Sequence, residues 1–118
     1  MNENDDENIK KARQAESFAL LQSKAKDYQD KLTSLQNKEY QGKYFGVSIR
    51  MKGSFEVIDV RIEQAFYETA GKGQIEKAFL TCYGNLYRSI QADQDGLKQE
   101  LQSDVDQIQK SALNDQFK

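Results

Sequence analysis

Apolar and polar residues alternate most regularly in the middle of the chain. Phe45, Val47, Ile49 and Met51 are separated by Gly46, Ser48 and Arg50, with Lys52 following, which is the period of a strand with one buried face. A second apolar set, Val57, Ile58, Val60 and Ile62, follows after Gly53-Ser54. Read as a two-residue turn with glycine first, Gly53-Ser54 predicts a hairpin that sets Ile49 opposite Ile58, Val47 opposite Val60 and Phe45 opposite Ile62, with Arg50 against Val57 and Ser48 against Asp59 on a mostly polar second face. A slip of one residue would turn the apolar set outward, so the pattern itself resists it. The polar stretch Asn37 to Lys43 before the hairpin allows a third, short strand.

Helical periods occupy both flanks. From about Asn8 to Gln36 the chain is rich in Lys, Gln, Ala, Glu and Leu and has no glycine, and Phe18, Leu21, Ala25, Tyr28, Leu32 and Leu35 form a narrow heptad seam. After the hairpin, Glu63 to Tyr67 predicts a helical turn that tucks Phe66 and Tyr67 over the end of the sheet, and Thr69 to Gly73 predicts a loop. A helix from Gln74 to about Gln91 carries Ile75, Ala78, Phe79, Cys82, Leu86 and Ile90 on one face, broad enough to cover the hairpin. Gln91 to Gly96 is expected to loosen or bend it, and a third helical stretch follows with Leu97, Leu101, Val105 and Ile108 as a second narrow seam.

Composition narrows the chemistry. At 118 residues, with 37% apolar and 31% charged residues and no proline, the chain fits one modest domain rich in long helices. The acidic start, Glu3 to Glu7, is unlike a signal peptide, and no apolar run is long enough to span a bilayer, so a cytoplasmic location is expected. No histidine and a single cysteine, Cys82, leave no zinc site and no His-activated nucleophile. Cys82 is expected to be a small buried hydrophobe. Glu56 and Asp59 do not make a catalytic pair, and Gly71-Lys72-Gly73 lacks the spacing and the Lys-Ser/Thr ending of a phosphate-binding loop. No catalytic residue, cofactor or metal is expected.

Charge is distributed unevenly. Residues 1–8 hold four acids and no base, residues 93–118 hold six acids and three bases, and residues 9–92 hold 14 bases against nine acids. Within that basic middle, Lys10, Lys24, Lys31 and Lys38 recur at one heptad position, a row about 40 Å long on a helix. Arg50, Lys52 and Arg61 cluster on the hairpin. These seven residues are the candidate contacts to a polyanion, with a solvated helix edge making weak ion pairs as the alternative.

The run Val47-Ser48-Ile49-Arg50-Met51-Lys52-Gly53, followed by Val60-Arg61-Ile62-Glu63 before a short turn and a helix, resembles the central pattern of the YbaB/EbfC family of bacterial nucleoid-associated proteins. The likeness extends to the order of elements from about Ile9 to Ile90. Gln64 stands where family members usually have proline, and the seam from Leu97 to Ile108 replaces their short Met- and Pro-rich tail. The resemblance implies an α+β fold, a tight homodimer and binding of double-stranded DNA at the nucleoid with low sequence selectivity. The expected division is an acidic, mobile segment 1–8, a YbaB-like domain 9–90 with an α-β-β-α order, and a helical extension 91–118. A helix-hairpin-helix order also resembles a prefoldin subunit, so a coiled-coil adaptor or prefoldin-like scaffold binding protein partners through Leu97, Leu101, Val105 and Ile108 is the competing expectation.

Overall fold

The computed structural model describes the backbone of residues 3–116 and the side chains of residues 8–112. The chain is α+β: α1 (Glu3–Asn37), β1 (Glu39–Tyr44), β2 (Val47–Lys52), β3 (Val57–Ile62), α2 (Gln64–Thr69) and α3 (Lys72–Gln116). The strands form one antiparallel sheet in the order β1-β2-β3, so the short third strand is present as β1.

The hairpin forms where the alternation placed it, but in another register. Val47 pairs with Ile62, Ile49 with Val60 and Arg50 with Asp59, two residues away from the expected pairing, and an irregularity at Arg50/Met51 brings Met51 opposite Val57. The cause is the turn. No glycine has positive φ, whereas Phe55 has φ 71°, and the chain closes with Phe55 N–H donating to Lys52 C=O at 2.9 Å and Lys52 N–H to Glu56 C=O at 2.8 Å. A longer loop with a bulge therefore replaces the two-residue turn. A shift of two preserves the face of each side chain, and the bulge moves Val57 from the polar face to the apolar one. Phe45 leaves the strand altogether: it sits in the β1–β2 turn at φ 50° and is 72% exposed.

The chain divides into two compact units, one of residues 32–95 and one of residues 1–31 with 96–118. The first is built on β2, the central strand. Val47, Ile49 and Met51 are buried against Ala78, Cys82, Leu86 and Ile90 of α3, four residues apart each time and hence on one helix face. Tyr40, Tyr44, Phe55, Phe66, Phe79 and Tyr83 close the margins. Of the pair expected to tuck over the sheet, Phe66 packs on the core and Tyr67 is exposed. The α3 stripe covers the β2 side of the sheet face and leaves β3 uncovered: Val57 is 43%, Ile58 38%, Val60 41% and Ile62 40% exposed.

The hairpin tip is fixed to the end of α1. Gly53 N–H donates to Lys38 C=O at 2.9 Å, Ser54 N–H to Gln36 C=O at 3.2 Å, and Gln94 Nε2 donates to Gly53 C=O at 3.0 Å. Gly53 is required by proximity rather than by φ, since a Cβ there would lie 1.8 Å from the carbonyl oxygen of Leu35.

The second unit pairs α1 up to Lys31 with α3 from Gly96 onward, antiparallel, since Lys31 meets Glu100 and Lys24 meets Asp104. Leu21, Tyr28, Leu97, Leu101, Val105 and Ile108 are half-buried along its seam, while Phe18, expected in that seam, is 62% exposed. Three expectations are corrected here. The C-terminal helices are a single 45-residue helix, because neither Gly84 nor Gly96 interrupts it, and the expected loop at Thr69–Gly73 shrinks to Ala70-Gly71. One glycine in an exposed helix costs only about 1 kcal/mol, too little to break a helix supported on both sides. The N-terminal helix begins at Glu3 rather than Asn8, so the expected mobile end is helical from that point; Met1 and Asn2 lie outside the described residues. Among the described residues no helix is long and apolar enough to cross a membrane.

Candidate nucleic-acid interface

The seven expected basic residues lie in three places. Lys10, Lys24 and Lys31 are on α1 in the helix pair, where Lys10 is exposed. Lys38 follows α1 at the start of the sheet unit. Arg50, Lys52 and Arg61 belong to the hairpin, with Arg50 and Arg61 on the sheet face opposite α3.

Six of the seven meet carboxylates of their own chain. In the helix pair, Lys31 Nζ donates to Glu100 Oε1 at 2.7 Å and Lys24 Nζ lies 3.8 Å from Asp104 Oδ2. The hydrogen bond and charge of Glu100 raise the Lys31 ammonium above its ordinary pKa, and Lys31 lowers the Glu100 carboxyl in return. Beneath these pairs Tyr28, Leu97 and Leu101 line a crevice of about 40 Å³, room for about one water and no ligand. In the sheet unit, Lys38 Nζ lies 4.0 Å from Asp93 Oδ2 and 4.9 Å from the centre of the Tyr40 ring. Tyr40 Oη donates to the same Asp93 Oδ2 at 2.6 Å, and burial together with that bond pushes the phenol up to about 12.

On the outer sheet face Asp59 joins two arginines, Arg61 Nε at 3.0 Å and Arg50 Nε at 3.9 Å, and Arg50 also reaches Glu39 at 3.7 Å. Lys52 sits 3.8 Å from Glu56 at the hairpin tip. The structure thus brings Arg50 and Arg61 together through a shared carboxylate and lines Lys24 and Lys31 along one edge of the helix pair.

The acidic partners are what the sequence reading missed, and a signal for them existed. Asp93 and Glu100 are seven residues apart and Asp104 four further on, on a helix running against one whose lysines repeat every seven, the flanking-charge pattern of paired helices. The pairing also removes the basic middle as a structural entity. Residues 32–95 carry eight acids and eight bases, and the segments forming the helix pair carry eleven acids and nine bases.

A row of aromatic residues borders the core on α3. Phe79 stacks on Tyr83 with ring centres 6.4 Å apart, Tyr83 lies 6.3 Å from Tyr87, and Tyr87 lies 4.7 Å from Phe55 of the hairpin tip. Leu80, on the neighbouring stripe, is 67% exposed.

No protein-family model matches the chain, and no curated protein does. Among solved structures, the chain is similar to the uncharacterized protein HP0035 from Helicobacter pylori, with a TM-score of 0.59 and 16% sequence identity over 70% of this chain and 89% of that one. At that identity the likeness establishes a shared fold: a long N-terminal helix, a three-stranded antiparallel sheet and a C-terminal helix.

Proposed function

We propose that the chain acts as a homodimer that binds the phosphates of duplex DNA with low sequence selectivity, in the manner of the YbaB/EbfC family of nucleoid-associated proteins that its hairpin resembles. The observation that carries this reading is the exposure of the basic residues. Lys24, Lys31, Lys38, Arg50, Lys52 and Arg61 each keep 40% or more of the side chain in solvent, and each is held by carboxylates at the surface. Exposed ion pairs of this kind are weak and screened by salt. Duplex DNA presents a negative charge about every 1.7 Å of its axis, a denser anion than the carboxylates it would replace. Contacts restricted to phosphates fix position and carry no base readout, hence the low selectivity.

A mobility shift of a generic duplex tests this. Six to ten phosphate contacts would lose roughly a thousandfold or more in affinity between 50 and 200 mM salt. Replacing Lys24, Lys31 and Lys38 together by glutamate should abolish the shift while the far-ultraviolet circular dichroism stays unchanged. Normal binding by the triple variant would rule out this face.

The charge balance favours a second reading. With acids matching or exceeding bases in each unit, the adaptor alternative is a protein partner packing on the helix pair, where Leu97, Leu101, Val105 and Ile108 already face α1 of their own chain and keep only their half-exposed margins for it. It predicts a folded wild-type protein that shifts no duplex even at low salt.

A further inference from the structure

We infer that β3 is the dimerisation strand, pairing antiparallel with β3 of a second copy about a two-fold axis at Val60. The inference rests on the homodimer of the proposed function and specifies its interface.

Three observations converge. β3 is an edge strand with a neighbour on one side only, and such an edge is a template for another strand. Its phase is fixed by Glu63 N–H donating to Gly46 C=O at 2.8 Å. Bonded pairs alternate in an antiparallel ladder, so Arg61 and Asp59 direct their backbone groups toward Ser48 and Arg50 of β2, while Val60 and Ile62 direct theirs to the open edge. Finally, the inner face of this strand, Val57, Ile58, Val60 and Ile62, remains about two-fifths exposed because α3 does not reach it.

The sequence of β3 then selects both the partner and the register. With Val60 opposite Val60, Ile58 meets Ile62 of the second copy and the open backbone groups face each other. On the other side of the sheet, Asp59 stands opposite Arg61 of the second copy, and Arg61 opposite Asp59, at non-bonded positions where side chains approach most closely. Sliding by two residues, the smallest step that keeps the bonding phase, sets either Asp59 against Asp59 or Arg61 against Arg61. The matched register is therefore the one without like charges. It is also self-complementary, as a two-fold interface must be. Arg61, 81% exposed and held by Asp59 of its own chain, can turn to the second copy.

Charge exchange tests the pairing. Arg61→Asp places two acids opposite each other at both symmetric positions, and Asp59→Lys places two bases there. Each variant alone should lose self-association by about tenfold or more in sedimentation equilibrium, since like charges directly opposite oppose pairing. An equimolar mixture of the two should recover it as a heterodimer. Hydrogen exchange on the wild type supplies a reading independent of any variant: the Val60 and Ile62 amides should be protected in the dimer. Wild-type dimers in which those amides exchange freely, or single variants that dimerise normally, would overturn the β3 interface and leave the homodimer standing. A wild-type protein that stays monomeric throughout the micromolar range would instead remove the homodimer itself.

Discussion

Replacing Gly53 by alanine should destabilise the protein far more than the same change at Gly96, and the two together test the fold at its least obvious points. At Gly53 the added Cβ would sit 1.8 Å from Leu35 O, 2.7 Å from Leu35 C and 3.0 Å from Leu35 Cδ2. The nearest atoms are backbone, so no rotamer change relieves the clash. Restoring van der Waals separation needs a movement of about 1.5 Å between the hairpin tip and the end of α1. That movement strains or breaks the bonds from Gly53 N–H to Lys38 C=O and from Ser54 N–H to Gln36 C=O. Overpacking strain of about 1–3 kcal/mol and the loss of one hydrogen bond, about 1 kcal/mol net, place the cost at roughly 2–4 kcal/mol.

At Gly96 a Cβ meets nothing within 4 Å and the residue lies inside α3, so alanine should stabilise by about 0.5–1 kcal/mol through helix propensity alone. Urea unfolding followed by circular dichroism at one fixed protein concentration measures both, and a thermal melt should show Gly53→Ala lower by roughly 10 °C or more. A Gly53→Ala protein as stable as wild type would refute the docking of the hairpin tip on α1. Destabilisation by Gly96→Ala would refute an unbroken α3.

Two further outcomes follow from buried or partly buried titratable groups. The Tyr40 phenol, pushed up to about 12 by burial and by its bond to Asp93, keeps its proton in the folded chain when the unfolded chain begins to lose it near about pH 10. Its contribution to stability is therefore complete below about pH 10 and is lost as pH rises toward 12. Tyr40 should give a late step in ultraviolet absorbance, and Tyr40→Phe should remove it; persistence of the step in the variant would reassign it. Cys82 is buried and its thiol is raised by burial, so thiol reagents should modify the native protein much more slowly than the unfolded one, and Cys82→Ser should cost about 1–3 kcal/mol by burying a hydroxyl. Fast modification of the native protein would place Cys82 outside the core.

The parts of the fold legible in the sequence are those where burial acts on one short segment. The alternation of Val47, Ile49 and Met51 survives because β2 is central, and the stripe from Ala78 to Ile90 was readable as its cover for the same reason. The turn was not legible, because Gly53 looks like a residue chosen for its φ when its real constraint is the carbonyl of Leu35, a neighbour eighteen positions earlier. Nor could spacing announce the positive φ at Phe55, which packs against the core, or at Phe45, which is exposed in the β1–β2 turn, since non-glycine residues in that region are set by their tertiary context. Gly96 misled for the opposite reason: a local helix weakener is overridden when residues on both sides are tied into packed elements. At the candidate interface the lysine heptads were visible and their acidic counterparts were too. The acids lost their meaning when charge was summed by segment, because opposing positions on antiparallel helices are distant in sequence.

The distribution of buried residues shows where the fold leaves apolar surface uncovered. Among the described residues, the buried apolar side chains Val47, Ile49, Met51, Ala78, Cys82, Leu86 and Ile90 all lie on β2 or on one stretch of α3. In the helix pair, none of the described side chains is fully buried. Its seam of Leu21, Tyr28, Leu97, Leu101, Val105 and Ile108 is half-buried and flanked by exposed ion pairs that add little stability, although helices in proteins gain most of their stability from packing. β3 presents the same deficit in another form, apolar on one face and unpaired along one edge. Self-pairing at Val60, the interface inferred above, would complete the hydrogen bonding of that edge and cover its apolar face.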